Sequence, residues 1–124
     1  MSPCMRGARI LVAEDNMLVA MDLAAELEAC DAEVIGPFAR IGEALTAAAE
    51  HSPDGAILDV NLLDGEVTPL AEKLLAAGIP VVFCTGVALP KDLRGRYPDS
   101  PVFIKPTPPE RLAEALCPLI GGAA

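Results

Sequence analysis

Residues 9–15, Arg-Ile-Leu-Val-Ala-Glu-Asp, run from an apolar stretch directly into two carboxylates. A short unbroken apolar run suits a strand buried on both faces better than one with a wet side. The next segment changes period. Over 17–29, Ala20, Leu23, Ala24 and Leu27 fall at i, i+3, i+4 and i+7, with Leu18 and Met21 widening the apolar face. Asn16, just before them, is a suitable N-cap. A buried strand, two acids and an amphipathic helix make a βα unit, and the rest of the chain can be tested for more.

Four more follow. A second strand is expected at Glu33–Ile35, stopped by Gly36-Pro37, and a helix at Ile41–Ala49. The third strand, Ala56–Leu58, closes on Asp59, with a loop through Asp64-Gly65. Val67–Ala77 reads as a helix that holds Pro69 in its first turn and ends at Gly78. Pro80–Cys84 is the fourth strand, followed by Thr85-Gly86. Residues 87–100 contain Pro90, Gly95 and Pro98, so the fourth helix is left open. Pro101–Ile104 is the fifth strand and ends in Lys105-Pro106. A last helix enters through Pro108-Pro109 and is expected to stop near Cys117, at Pro118. Five βα units predict an α/β fold: a doubly wound, five-stranded parallel sheet with helices on both faces.

The chain has 124 residues, 52% of them hydrophobic and 22% charged, which predicts one globular domain over 1–124 with its core at about 8–120. Only Gly-Gly-Ala-Ala follows residue 120, so no output domain is expected. Aromatics are 3% with no Trp, which leaves Ala, Leu, Val and Ile to build the core. A net charge of −9 without a basic stripe argues against nucleic-acid binding. No apolar run is long enough for a secretion signal or a membrane span, so the expectation is a cytoplasmic protein with no membrane contact. Cys4, Cys30, Cys84 and Cys117 show no metal-binding spacing and are expected to be reduced thiols. His51, the sole histidine, reads as a solvated helix-end residue, and Arg94, Arg96 and Tyr97 as loop surface or a partner face.

The chemistry lies in what ends each strand. Strand one ends in Glu14-Asp15, strand three in Asp59, strand four in Thr85-Gly86 and strand five in Lys105-Pro106. In an open α/β sheet the ligand crevice lies beyond the carboxyl ends of the strands. Three carboxylates, a hydroxyl and an ammonium therefore converge from four segments. Three such carboxylates repel one another and call for a cation, and Mg²⁺ suits an all-oxygen set. One of them then remains able to attack phosphorus and form an acyl phosphate. A lysine and a hydroxyl suit the equatorial phosphoryl oxygens, and Gly86 leaves room beside Asp59.

This order of residues resembles the receiver domains of response regulators over about residues 8–120. The resemblance implies the flavodoxin-like strand order 2-1-3-4-5. It implies that Asp59 is the phosphoacceptor, that Thr85 and Lys105 hold the phosphoryl group, and that the Lys105–Pro106 bond is cis. Glu14, Asp15, Asp59 and the backbone carbonyl of Asn61 would bind Mg²⁺. The donor would be a histidine kinase or histidine phosphotransfer protein of a two-component system or phosphorelay. The signal would leave by protein contact or onward phosphotransfer, through a face able to support a homodimer. Such a protein is no enzyme beyond its own phosphorylation and dephosphorylation.

Val82-Phe-Cys-Thr-Gly86, Ile35-Gly-Pro37 and Leu58-Asp-Val-Asn-Leu62 are similar to the single-domain receivers named for a Phe-Ala-Thr-Gly motif. Val102 stands where many receivers carry a switching aromatic, and strand alternation points Phe103 to the other face. Two other readings compete: a phosphorylation-independent binding module on the same fold, and a metal-dependent small-molecule phosphatase. The second commonly needs Asp-x-Asp after the first strand, which this chain lacks.

Overall fold

A computed structural model describes residues 5–86, 91, 95 and 98–121. The opening run forms β1 (Arg9–Ala13), and its alternation divides the molecule. Leu11 and Ala13 point into one apolar cluster, Ile10 and Val12 into another, so both faces of the strand are dry. The other strands split the same way: Ala56 and Leu58 against Ile57, Val81 and Phe83 against Val82 and Cys84. This is why the strands read as continuous apolar runs.

The elements follow in order: β1, α1 (Met17–Ala29), β2 (Glu33–Phe38), α2 (Ile41–His51), β3 (Gly55–Leu58), β4 (Asn61–Leu62), β5 (Gly65–Glu66), α3 (Thr68–Ala76), β6 (Val81–Thr85), β7 (Val102–Ile104) and a C-terminal helix (Pro109–Gly121). The main sheet is parallel in the order β2-β1-β3-β6-β7, which is the expected 2-1-3-4-5 among its five strands. Helices α2 and α3 cover the face of Leu11 and Phe83, while α1 and the C-terminal helix cover the face of Ile10 and Val82. The segment 87–100, for which the sequence predicts no clear fourth helix, lies largely outside the described residues.

Several local expectations are corrected. Strand β2 does not stop at Gly36-Pro37 but continues to Phe38, with a register shift opposite Leu11–Ala13. As an edge strand it tolerates a proline that cannot donate. Gly36 has φ +103°, and a Cβ there would lie 2.8 Å from the Phe38 ring. The loop after Asp59 contains an antiparallel hairpin, β4–β5, where Asn61 pairs with Glu66 and Leu62 with Gly65. The C-terminal helix passes through Pro118 to Gly121. Pro118 is exposed and leaves only the Glu114 carbonyl, on an exposed residue, without its helical donor. On α1, Leu18 and Met21 are 77% and 60% exposed, so the buried stripe is the narrower Ala20, Leu23, Leu27. Cys30 and Cys84 are free thiols, but Cys117 is disulfide-bonded. Pairing depends on Cβ atoms meeting in space, which scattered linear positions do not reveal.

Candidate functional site

Backbone rungs just beyond the strand ends set the site. Asp59 N donates to the Ala13 carbonyl, Glu14 N to that of Phe38, and Lys105 N to that of Thr85, each at 2.8 Å. These bonds extend the parallel ladder by one residue, so Glu14, Asp59 and Lys105 leave the sheet side by side at its carboxyl edge. The Lys105–Pro106 peptide is cis, as the resemblance implied. Asn16 caps α1 by accepting from Leu18 N and Val19 N, which fixes the turn that carries Asp15.

Lys105 Nζ donates to Glu14 Oε2 and to Asp59 Oδ2, both at 2.8 Å. The residues Glu14 and Asp59 are buried, at 4% and 6% exposure, while Asp15 is exposed. One oxygen from each of Glu14, Asp15 and Asp59 lies within 4.8 Å of the others. The electrostatic tension shows in Glu14. Burial pushes its carboxyl up to about 7, against hydrogen bonds from Lys105 and Asn16 N that lower it. For Asp15, burial works upward, but hydrogen bonding with Glu14 and Asp59 and the charge of Lys105 bring it below the ordinary range. For Lys105, burial works downward, and hydrogen bonds to Asp59 and Glu14 more than reverse it, so the ammonium is held charged.

Thr85 closes β6 in register with Ile104 and is fully buried. The residue Asn61 is exposed at the start of β4, and its backbone N–H donates to Asp59 Oδ1 at 3.4 Å. Among the described residues, a Cβ placed on Gly86 would meet nothing within 4 Å. Val102 and Phe103 face opposite clusters, and Arg111 sits 5.8 Å over the Phe103 ring. His51 ends α2, with Nδ1 at 3.3 Å from the Arg9 guanidinium. Arg94, Arg96 and Tyr97 lie outside the described residues.

Asp64 was not singled out from the sequence as a functional residue. Its carboxylate, at the tip of the hairpin, accepts from Ile41 N and Gly42 N at the start of α2. Two signals pointed there: the Asp64-Gly65 dipeptide, which marks hairpins, and Arg40 in a cap position where it offers no acceptor.

No protein-family model matches the chain. It is 35% identical over 116 residues to the phyllosphere-induced regulator PhyR of Methylorubrum extorquens, matching 89% of this chain. The chain spans only 42% of that relative's length. The response regulator PhyR from Brucella abortus superposes with a TM-score of 0.74 at 27% identity, over 97% of this chain and 52% of that one. SdrG from Sphingomonas melonis Fr1 is matched almost end to end: 38% identity, TM-score 0.76, 92% of this chain and 97% of SdrG. The chain belongs to the response-regulator receiver domains. Its acidic cluster and paired lysine form a phosphoacceptor site of the receiver kind, able to hold a divalent metal. Among the described residues no helix is long and apolar enough to cross a membrane.

Proposed function

We propose that this receiver accepts a phosphoryl group on Asp59 from a phosphohistidine of a kinase or phosphotransfer protein and passes the signal on by protein contact or onward transfer. The observation that carries the reading is Lys105 Nζ bridging Asp59 and Glu14 at 2.8 Å, beside three carboxylate oxygens within 4.8 Å of one another. That donor set fits Mg²⁺: it is all oxygen, two of its acids are buried, and burial pushes the Glu14 carboxyl up to about 7, so a bound cation would favour its ionised form. Glu14, Asp15, Asp59 and the carbonyl of Asn61 would hold the ion, which neutralises charge on the phosphoryl oxygens when bound.

The chain's own groups do the rest. An Asp59 carboxylate oxygen forms the new bond to phosphorus as the phosphorus–nitrogen bond of the donor breaks, and the imidazole leaves with that electron pair. Lys105, already within hydrogen-bonding distance of Asp59, then holds a phosphoryl oxygen, and the Thr85 hydroxyl takes another. Positioning and charge are most of what phosphoryl transfer asks of a protein.

The test is intact mass after incubation with acetyl phosphate, with and without Mg²⁺, on wild type and Asp59→Asn. A single phosphoryl adduct that needs both Mg²⁺ and Asp59 is expected. Equal labelling of Asp59→Asn would sink the reading, and Mg²⁺ binding with no adduct from any phosphodonor would favour a binding module.

A further inference from the structure

We propose that Asp64 is a positioning residue for the site: by tying the tip of the β4–β5 hairpin to the start of α2, it sets where Asn61 presents its backbone to a bound metal. The inference rests on the proposed Mg²⁺-dependent phosphorylation and deepens it.

The hairpin begins two residues after the phosphoacceptor and is closed at its base by Val67 N donating to the Val60 carbonyl at 2.7 Å. Its strands are two residues each, Asn61–Leu62 and Gly65–Glu66. A two-stranded ribbon of that length does not hold its own shape in water, so its conformation comes from what it is fastened to. Three ties run to the turn between β2 and α2. Leu63 N donates to the Ala39 carbonyl at 2.9 Å. The buried Leu62 shares a cluster with Ile41. Asp64 supplies the third, with Oδ1 accepting from Ile41 N at 2.6 Å and Oδ2 from Gly42 N at 3.1 Å.

Those two amides are first-turn donors of a helix, which need acceptors from outside. Arg40, the local cap residue, makes no side-chain cap bond. Asp64 therefore caps a helix 23 residues earlier in sequence and, in the same act, anchors the loop that leaves Asp59. At the other end of the loop, Asn61 N donates to Asp59 Oδ1. Without Asp64 the hairpin keeps only the Leu63 N and Leu62 ties to that turn, which loosens the placement of Asn61 relative to Asp59 while leaving Glu14, Asp15, Asp59 and Lys105 on their strand ends. Groups that orient a metal ligand typically change affinity on the order of tenfold when removed.

Helix capping and loop anchoring can be separated. The experiment compares the full chain as wild type, Asp64→Ala, and Asp64→Ala with Arg40→Ser, a substitution that supplies a local cap. Mg²⁺ affinity is read by calorimetry, thermal midpoint by circular dichroism, and adduct formation from acetyl phosphate at saturating Mg²⁺. The expected result is about tenfold weaker Mg²⁺ binding in Asp64→Ala, with the rate at saturating Mg²⁺ largely kept. The double variant should regain thermal stability without regaining Mg²⁺ affinity. Affinity that returns together with stability, or that never fell, overturns the positioning role while leaving phosphorylation of Asp59 intact. A wild-type chain that neither binds Mg²⁺ nor forms an adduct overturns the parent reading and this one together.

Discussion

Glu14 carries the strain of the site at the scale of a single residue. Its carboxyl is pushed up from 4.5 to about 7, first by burial, with Lys105 and Asn16 N pulling the other way. Between those values the folded protein keeps a proton that the unfolded chain has lost, so without metal the folded state loses stability as pH rises through the window. The lowered carboxyl of Asp15 acts at more acid pH and leaves this range alone. Thermal midpoints measured in chelator should therefore fall from about pH 5 to about pH 7.5. Glu14→Gln should flatten the profile, and, on the proposed Mg²⁺ site, added Mg²⁺ should offset the loss most at the upper end, where the carboxylate it would bind is ionised. A midpoint that climbs over the same range would contradict this account of Glu14.

Helices α1 and α2 solve the same terminal problem in different ways at the scale of elements. In α1 the acceptor is local: Asn16 takes both Leu18 N and Val19 N. Asn16→Ala should cost about 1 kcal/mol in urea unfolding. It should also slow adduct formation, since the same turn presents Asp15. A stability change near zero would mean that water replaces the cap without penalty. The local cap was legible in the sequence because donors and acceptor are two or three residues apart. The cap of α2 was not, because Asp64 and Ile41 meet only after β3 has crossed the sheet. The extent of the α1 apolar face was overread for a related reason: periodicity reports which residues share a side, and only packing tells where the cover ends. Leu18 and Met21 lie beyond that edge.

The two layers of helices meet the sheet unequally at the scale of the whole molecule. Gly55, the first residue of β3, lies under the C-terminal helix: a Cβ there would sit 3.1 Å from Ile120 Cδ1 and 3.2 Å from Leu116 Cδ1. Leu116 is fully buried, so its tip has little space to give the few tenths of an ångström required. Gly55→Ala should thus displace the helix and cost about 1–3 kcal/mol in urea unfolding, with little effect on Mg²⁺ binding at the opposite edge of the sheet. A full loss of Mg²⁺ binding in a folded Gly55→Ala protein would show that the two edges are coupled. The same packing accounts for a helix that continues past Pro118: Leu119 and Ile120, beyond the proline, still pack against the second cluster.

By itself the sequence determined the parallel sheet and which residues end its strands. Unbroken apolar runs, helical periodicity and terminal acids are local signals, and chain order with right-handed crossovers leaves few ways to assemble them. Glu14, Asp15, Asp59 and Lys105 were readable on that basis. The tertiary structure alone decided the pairing of Lys105 with both Glu14 and Asp59, the hairpin after Asp59, and the remote cap by Asp64. It also decided the disulfide at Cys117. Each of these depends on distances between segments far apart in sequence, and such distances come into being only when the sheet closes and its helices dock.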